Sequence, residues 1–198
     1  LTLALEALGR APCDYSSSFR LRLDPGARAD LATRAILQEL LGTLAANEEG
    51  LVGDLDSEFL HDFRVAVRRT RSALGQIKGV LPPDATPWFR EEFHWLGERT
   101  GPTRDIDVYL LKIPEYRAAL PGEASQALEP LVRFLKARKL KEHRALVRTL
   151  KSRRYARLKR RWSRFLEGDA GEGPEGEKAA RPIRWVASER IWKAFGKV

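Results

Sequence analysis

A chain of 198 residues with 43% hydrophobic content can bury one substantial core or two small ones. Its formal charge of +9 and pI near 10.0 favour an anionic partner, whether nucleic acid, membrane surface or condensed phosphate. The single Cys13 excludes an internal disulfide, and no run approaches the roughly 18 apolar residues of a membrane span. The N-terminus lacks the basic start, apolar core and small-residue cleavage site of a secretion signal, so a cytoplasmic location is expected. Leu1 in first place and the absence of methionine imply a piece of a longer protein.

Residues 1–28 mix apolar and polar positions around Pro12 and Pro25, which reads as a short helix and then a linker or tail. From Ala29 to about Gly53, the spacing of Leu31, Ile36, Leu37, Leu40, Leu41 and Leu44 predicts the first firm helix, with Gly50 and Gly53 as breakers. Asp56 and Ser57 are both suited to cap a second helix running from about Ser57 to Leu81, where Pro82-Pro83 forces a stop. Trp88, Phe89, Phe93 and Leu96 predict a third helix that Gly101-Pro102 interrupts, followed by a short helical run from Asp105 to about Leu120. Glu123 to Leu150 reads as one long helix, and Ser152 as the cap of another reaching about Leu166. Residues 168–180 are rich in Gly and Glu and read as a flexible loop before a last helix, Pro182 to about Phe195. No stretch alternates in the manner of a half-buried strand, so the chain is expected to be all-α.

The second helix carries two parallel lines of side chains. Leu60, Phe63, Val67, Thr70, Leu74, Ile77 and Leu81 follow 3,4 spacing and form a packing seam. His61, Arg64, Arg68, Arg71, Gly75 and Lys78 repeat that spacing one residue later, about 100° around the helix. Cations stacked in this way repel by a few tenths of a kcal/mol per pair. Asp62 is the one acid within the motif, so the counter-charge is either an external polyanion or carboxylates of a neighbouring helix. Arginine suits the first, because its planar fork gives paired hydrogen bonds to phosphate oxygens. The alternatives are a merely solvated face and, for His61, a partly buried structural histidine.

A second basic block spans residues 133–164, with 15 Lys or Arg and one acid, Glu142; its net charge of +14 leaves −5 for the remainder. Leu140, His143, Val147 and Leu150 read as its apolar seam, continued in register by Arg154, Arg157 and Arg161. Helical geometry sends Arg153, Lys159 and Arg160 in other directions, so several of these cations must be solvated. Tyr155, Trp162 and Phe165 have spacings more typical of core packing than of base stacking.

The stretch HDFRVAVRRTRSAL at residues 61–74, followed by LGERTGPTRDIDVYL, resembles the CHAD family, the conserved histidine α-helical domain. The Ser-Arg-Arg-Tyr helix start at Ser152 to Tyr155 adds to the likeness, which covers roughly residues 29–198. The resemblance implies two four-helix-bundle repeats related by a pseudo-twofold axis, with basic helices lining a channel for inorganic polyphosphate and no catalysis of their own. It divides the chain into a linker or tail from an upstream domain (1–28), a first repeat (29–167), the loop, and the opening helix of a truncated second repeat (181–198). By motif position, His61, Arg64, Arg68, Arg69 and Arg71 are expected ligand contacts and Arg104 belongs to the companion motif; Lys78 and Arg138 from the basic segments complete the set. Asp105 would orient Arg104 or a motif arginine. A second copy completing the missing repeat, or a fused or associated triphosphate-tunnel enzyme domain, is an implied partner. The tunnel-domain pattern Glu-x-Glu-x-Lys is not met by Glu175-Gly-Glu177-Lys178, which lacks the spacer.

Neither a metal nor a cofactor is expected. Asp54, Asp56 and Glu58 sit at a helix entrance where capping explains them, and Asp105 and Asp107 project about 200° apart. His61, His94 and His143 show no short metal-ligand spacing. The rival to a polyphosphate module is a single-stranded RNA binder, since basic helices near Tyr and Trp could follow a backbone and stack bases.

Overall fold

The computed structural model describes residues 21–168 and 175–196, and the expected short helix near the N-terminus lies outside that range. Among the described residues there are six α-helices and no β-strand: α1 (Ala29–Val52), α2 (Ser57–Gln76), α3 (Thr86–Ala119), α4 (Glu129–Leu150), α5 (Arg153–Glu167) and α6 (Ile183–Phe195). α1 packs on α2, α2 on α3 and α3 on α4, while α5 closes the bundle by lying against α1 and touching α3 and α4. One core unites them. Leu37, Leu40 and Leu44 of α1 and Phe63 and Val67 of α2 meet Phe89, Phe93 and Leu96 of α3. The aromatic centre comes from α5, where Trp162 lies 4.7 Å from Phe89 and 5.1 Å from Phe93, ring to ring. Tyr155, Trp162 and Phe165 are thus core residues.

The capping predictions hold: Asp56 accepts from the Glu58 amide at 2.8 Å, and Ser152 from the Tyr155 amide at 3.2 Å. Several boundaries differ. α2 stops at Gln76, five residues short of the expected Leu81, because Gly79 takes a positive φ of 75° and its carbonyl accepts from the Lys178 amide at 2.6 Å. Lys78 therefore stands beyond the helix and exposed, out of line with the basic row. α3 runs unbroken through Gly101-Pro102 and Pro114. Thr100, Thr103 and Ile106, buried on both sides of Pro102, fasten the helix across the missing amide. The expected helix 123–150 begins instead as a 3-10 segment, Gly122–Leu128, and becomes α-helical at Glu129, with Pro130 in its first turn.

α4 buries the expected seam only in part: Leu150 is buried and His143 and Val147 are half-buried. Leu140 is 53% exposed, and the buried residues are Val132, Leu135, Leu146 and Leu150. The interior gap in that sequence is filled by Lys139, which places its ammonium 3.0 Å from Asp54 and 3.1 Å from the buried Asp107. Residues 175–181, the described part of the Gly/Glu stretch, are held by backbone bonds: the Asp30 amide donates to Ala179 and the Ala29 amide to Arg181. Any Cβ at Gly176 would collide with the Gly79 carbonyl, which accounts for glycine there. α6 then joins α1 through the Ile183 amide to the Ala27 carbonyl and a small cluster of Ala29, Val80 and Val186. Its Trp185, Trp192 and Phe195 are largely exposed.

Candidate polyanion-binding groove

Arg64, Arg68 and Arg71 project from α2 into a groove whose other wall is α3. The groove has two stretches sharing Arg68 and Arg71. One is floored by Gly97, Thr100 and Gly101; the other is bordered by Ser72, Pro87, Arg90, Glu91 and His94. Arg64 is the most constrained of the three: Nη1 donates to the Gly97 carbonyl at 3.1 Å and to Thr100 Oγ1 at 2.9 Å, and the Thr100 hydroxyl donates to the same carbonyl at 3.0 Å. Arg71 Nη2 lies 2.8 Å from His94 Nδ1. Gly97 favours this approach: a Cβ there would sit 2.9 Å from Arg71 Nη1, whereas one at Gly101, 3.6 Å from Arg64 Nη1, would make only ordinary contact. Guanidinium groups thus rest on the bare backbone of α3.

None of Arg64, Arg68 and Arg71 makes an ion pair with a carboxylate of the described residues. Burial lowers the pKa of Arg64, and the charges of Arg104 and Arg68 add to that against the opposing pull of Asp105 and Glu98. It remains a cation, as arginine does throughout the accessible range. Burial pushes the Asp62 carboxyl up, with Glu58 adding to the shift and the charges of His61, Arg104 and Arg69 opposing it.

The other expected contacts are distributed around this row. His61 is half-buried one turn before Arg64, and Arg69 is exposed. Arg104 donates from Nη1 to the Ser57 carbonyl at 3.4 Å, so it is committed to the start of α2 while still repelling Arg64. Asp105 lines the groove with Arg64 and its charge favours the Arg64 cation, but it makes no hydrogen bond or ion pair to Arg64 or Arg104 among those between described residues. Arg138 is outside: it is exposed on α4, with Nε 3.9 Å from Glu142. Arg90, Gly97 and Thr100 were not singled out in sequence, and His94 was weighed only as a metal ligand. The spacing of Gly97 and Gly101, four apart on one helix face, was the available signal, but a glycine beside a proline reads as a breaker.

α5 lies on the opposite flank of α3 and divides its cations. Arg154 grips the buried Glu92 with Nε and Nη2, at 2.9 and 3.2 Å, and stacks 4.1 Å over Trp95. Arg161 stacks 4.1 Å over Trp88, and Arg157 lies 5.9 Å from the same ring. Lys159 pairs with Glu48 at 2.7 Å. The register expected for Arg154, Arg157 and Arg161 is thus a row against the tryptophans of α3; the apolar seam of α5 is Tyr155, Leu158, Trp162 and Phe165. Arg153, Arg157 and Arg160 border a shallow depression on the outer surface. His143 bonds the Leu51 carbonyl at 2.8 Å, at the end of α1. No group of three or more His, Cys, Asp or Glu able to hold a metal occurs among the described residues, and no described helix is long and apolar enough to cross a membrane.

The family model for the CHAD domain matches residues 35–198. The chain belongs to the CHAD domain family. Two solved structures are similar to it. The crystal structure of the CHAD domain from the plant Ricinus communis aligns with a TM-score of 0.66 at 29% identity, covering 82% of this chain and 53% of that one. PptA from Streptomyces chartreusis aligns with a TM-score of 0.63 at 17% identity, covering 87% of this chain and 61% of that one, a likeness of fold alone. The chain therefore spans little more than half the length of either. No curated protein matches the sequence. Within the CHAD fold, the family's motif helix is α2, and its companion Arg-Asp-x-Asp signature divides its labour: Arg104 reaches the start of α2, whereas Asp107 is buried against Lys139.

Proposed function

We propose that this chain is a non-catalytic module that binds inorganic polyphosphate along the α2–α3 groove. One observation carries the reading: Arg64, Arg68 and Arg71 form a row of cations in which a carbonyl and a hydroxyl hold Arg64 and an imidazole holds Arg71, with no carboxylate ion-paired to any of the three among the described residues. Their mutual repulsion is left for a ligand to relieve, and a chain of linked phosphates presents negative charge at short, regular intervals along such a row. CHAD family membership supports the same ligand class. A cytoplasmic site of action, on polyphosphate granules or beside an enzyme domain that uses polyphosphate, fits this role.

RNA is the competing ligand, but Tyr155, Trp162 and Phe165 are buried, Trp88 and Trp95 are already stacked by arginines, and the exposed rings of Tyr109, Tyr116, Phe134, Trp185, Trp192 and Phe195 are not among the residues lining the groove. A competition assay separates the two. Long-chain polyphosphate should displace single-stranded RNA at equal charge concentration, and the opposite order would favour RNA. Arg68→Ala is the cleaner test of the row, since Arg64 also bonds α3. It should weaken polyphosphate binding by about 1–2 kcal/mol, roughly 5- to 30-fold, with the melting temperature unchanged. Unchanged affinity would assign the row to structure.

A further inference from the structure

The contact between Arg71 and His94 is set by a proton. A guanidinium has donors and no acceptor, so the 2.8 Å bond from Arg71 Nη2 requires a lone pair on His94 Nδ1 and therefore a neutral imidazole with its proton on Nε2. The surroundings oppose a second charge there. Arg68 and Arg71 face the groove from α2; Arg90 faces it from α3, against Glu91 there and Glu98 beside Arg64 and Arg68 in the adjoining stretch. Arg154 of α5, across α3, is occupied by Glu92 and Trp95. Gly97 allows the Arg71 guanidinium to lie against α3, within reach of the ring.

We infer that His94 is a ligand-contacting residue that takes up a proton when a polyanion enters the groove, an inference that rests on the polyphosphate reading above. A phosphate oxygen placed between the two side chains accepts from Arg71, replacing the imidazole lone pair. His94 Nδ1, protonated from solvent, then donates to the same anion. One hydrogen bond is broken, two charge-assisted ones form, and one proton is consumed. Affinity consequently rises as pH falls, because binding consumes a proton. His61 is not equivalent, because it makes no hydrogen bond to a groove arginine among the described residues.

The test is calorimetric titration of the chain with long-chain polyphosphate, whose interior phosphates do not titrate near neutrality, in two buffers of unlike ionisation enthalpy. The parent should take up a substantial fraction of a proton per site near pH 7 and bind about 3- to 10-fold more tightly at pH 6 than at pH 8. His94→Gln keeps an acceptor for Arg71 but cannot ionise; it should lose both the proton uptake and the tightening at pH 6. His61→Gln should retain the uptake. Proton uptake that survives in His94→Gln, or vanishes in His61→Gln instead, would overturn the inference. Binding by the parent without any uptake would overturn it while leaving the polyphosphate reading standing, whereas no binding at pH 6 would overturn both.

Discussion

Lys139→Met removes the cation at the centre of the contact among α3, α4 and the α1–α2 turn while keeping most of the aliphatic stem. Asp107, 4% exposed, is then left facing Asp54 without its ion-pair partner. Removing one partner of a buried pair costs about 3–5 kcal/mol. Here the Lys139 side chain is 23% exposed and that of Asp54 45%, so solvent screening reduces the expected loss to about 2 kcal/mol. For a chain of this size that lowers the melting temperature by roughly 4–8 °C near pH 7. The pH dependence has a definite sign. Burial pushes the Asp107 carboxyl up, against the pull of Lys139 and the weaker pull of Arg104, and in the variant only Arg104 opposes it. A carboxyl with a raised folded pKa stabilises the native state when protonated and loses that contribution as pH rises through the folded value. The deficit relative to the parent should therefore be full at pH 7 and shrink towards pH 4. Melting curves followed by helical circular dichroism at both pH values measure it, and adding Asp107→Asn should recover part of the loss at pH 7. A variant as stable as the parent at pH 7, or a deficit that widens on acidification, would refute the electrostatic account.

Two glycines of α1 should respond in opposite directions. Gly42→Ala meets nothing within 4 Å and should stabilise by about 0.5–1 kcal/mol, whereas a Cβ at Gly50 falls 2.5 Å from the Phe59 ring, so Gly50→Ala should cost about 1–3 kcal/mol in denaturant unfolding. Burial, followed by the charge of Glu48 and the hydrogen bond to it, raises the pKa of the Tyr155 phenol. A spectrophotometric titration should show this tyrosine un-ionised past its ordinary value of about 10 for as long as the protein stays folded. Lys78→Ala and Arg138→Ala, both off the groove, should leave polyphosphate affinity within about 2-fold of the parent; a loss equal to that of Arg68→Ala would relocate the binding surface.

The placement of the arginine row was legible because helical periodicity is a local property: 3,4 spacing puts Leu60, Phe63 and Val67 on one line of α2 and Arg64, Arg68 and Arg71 on the next, whatever the helix packs against. The all-α character and the caps at Asp56 and Ser152 were legible for the same reason. The partners of those cations were not, since Arg71 meets His94 across 23 positions and Arg154 meets Glu92 across 62. The end of α2 and the continuity of α3 through Pro102 were misread on equally physical grounds. Local propensity states the cost of a glycine or proline, but the Lys178 amide bonding Gly79 and the residues packed around Pro102 come from distant segments and settle the balance. Sequence thus determined which faces exist and what charge they bear. Only the tertiary structure decided which of those charges are paired within the fold and which are left without a carboxylate among the described residues, because neutralisation depends on distances in space that no spacing along the chain specifies.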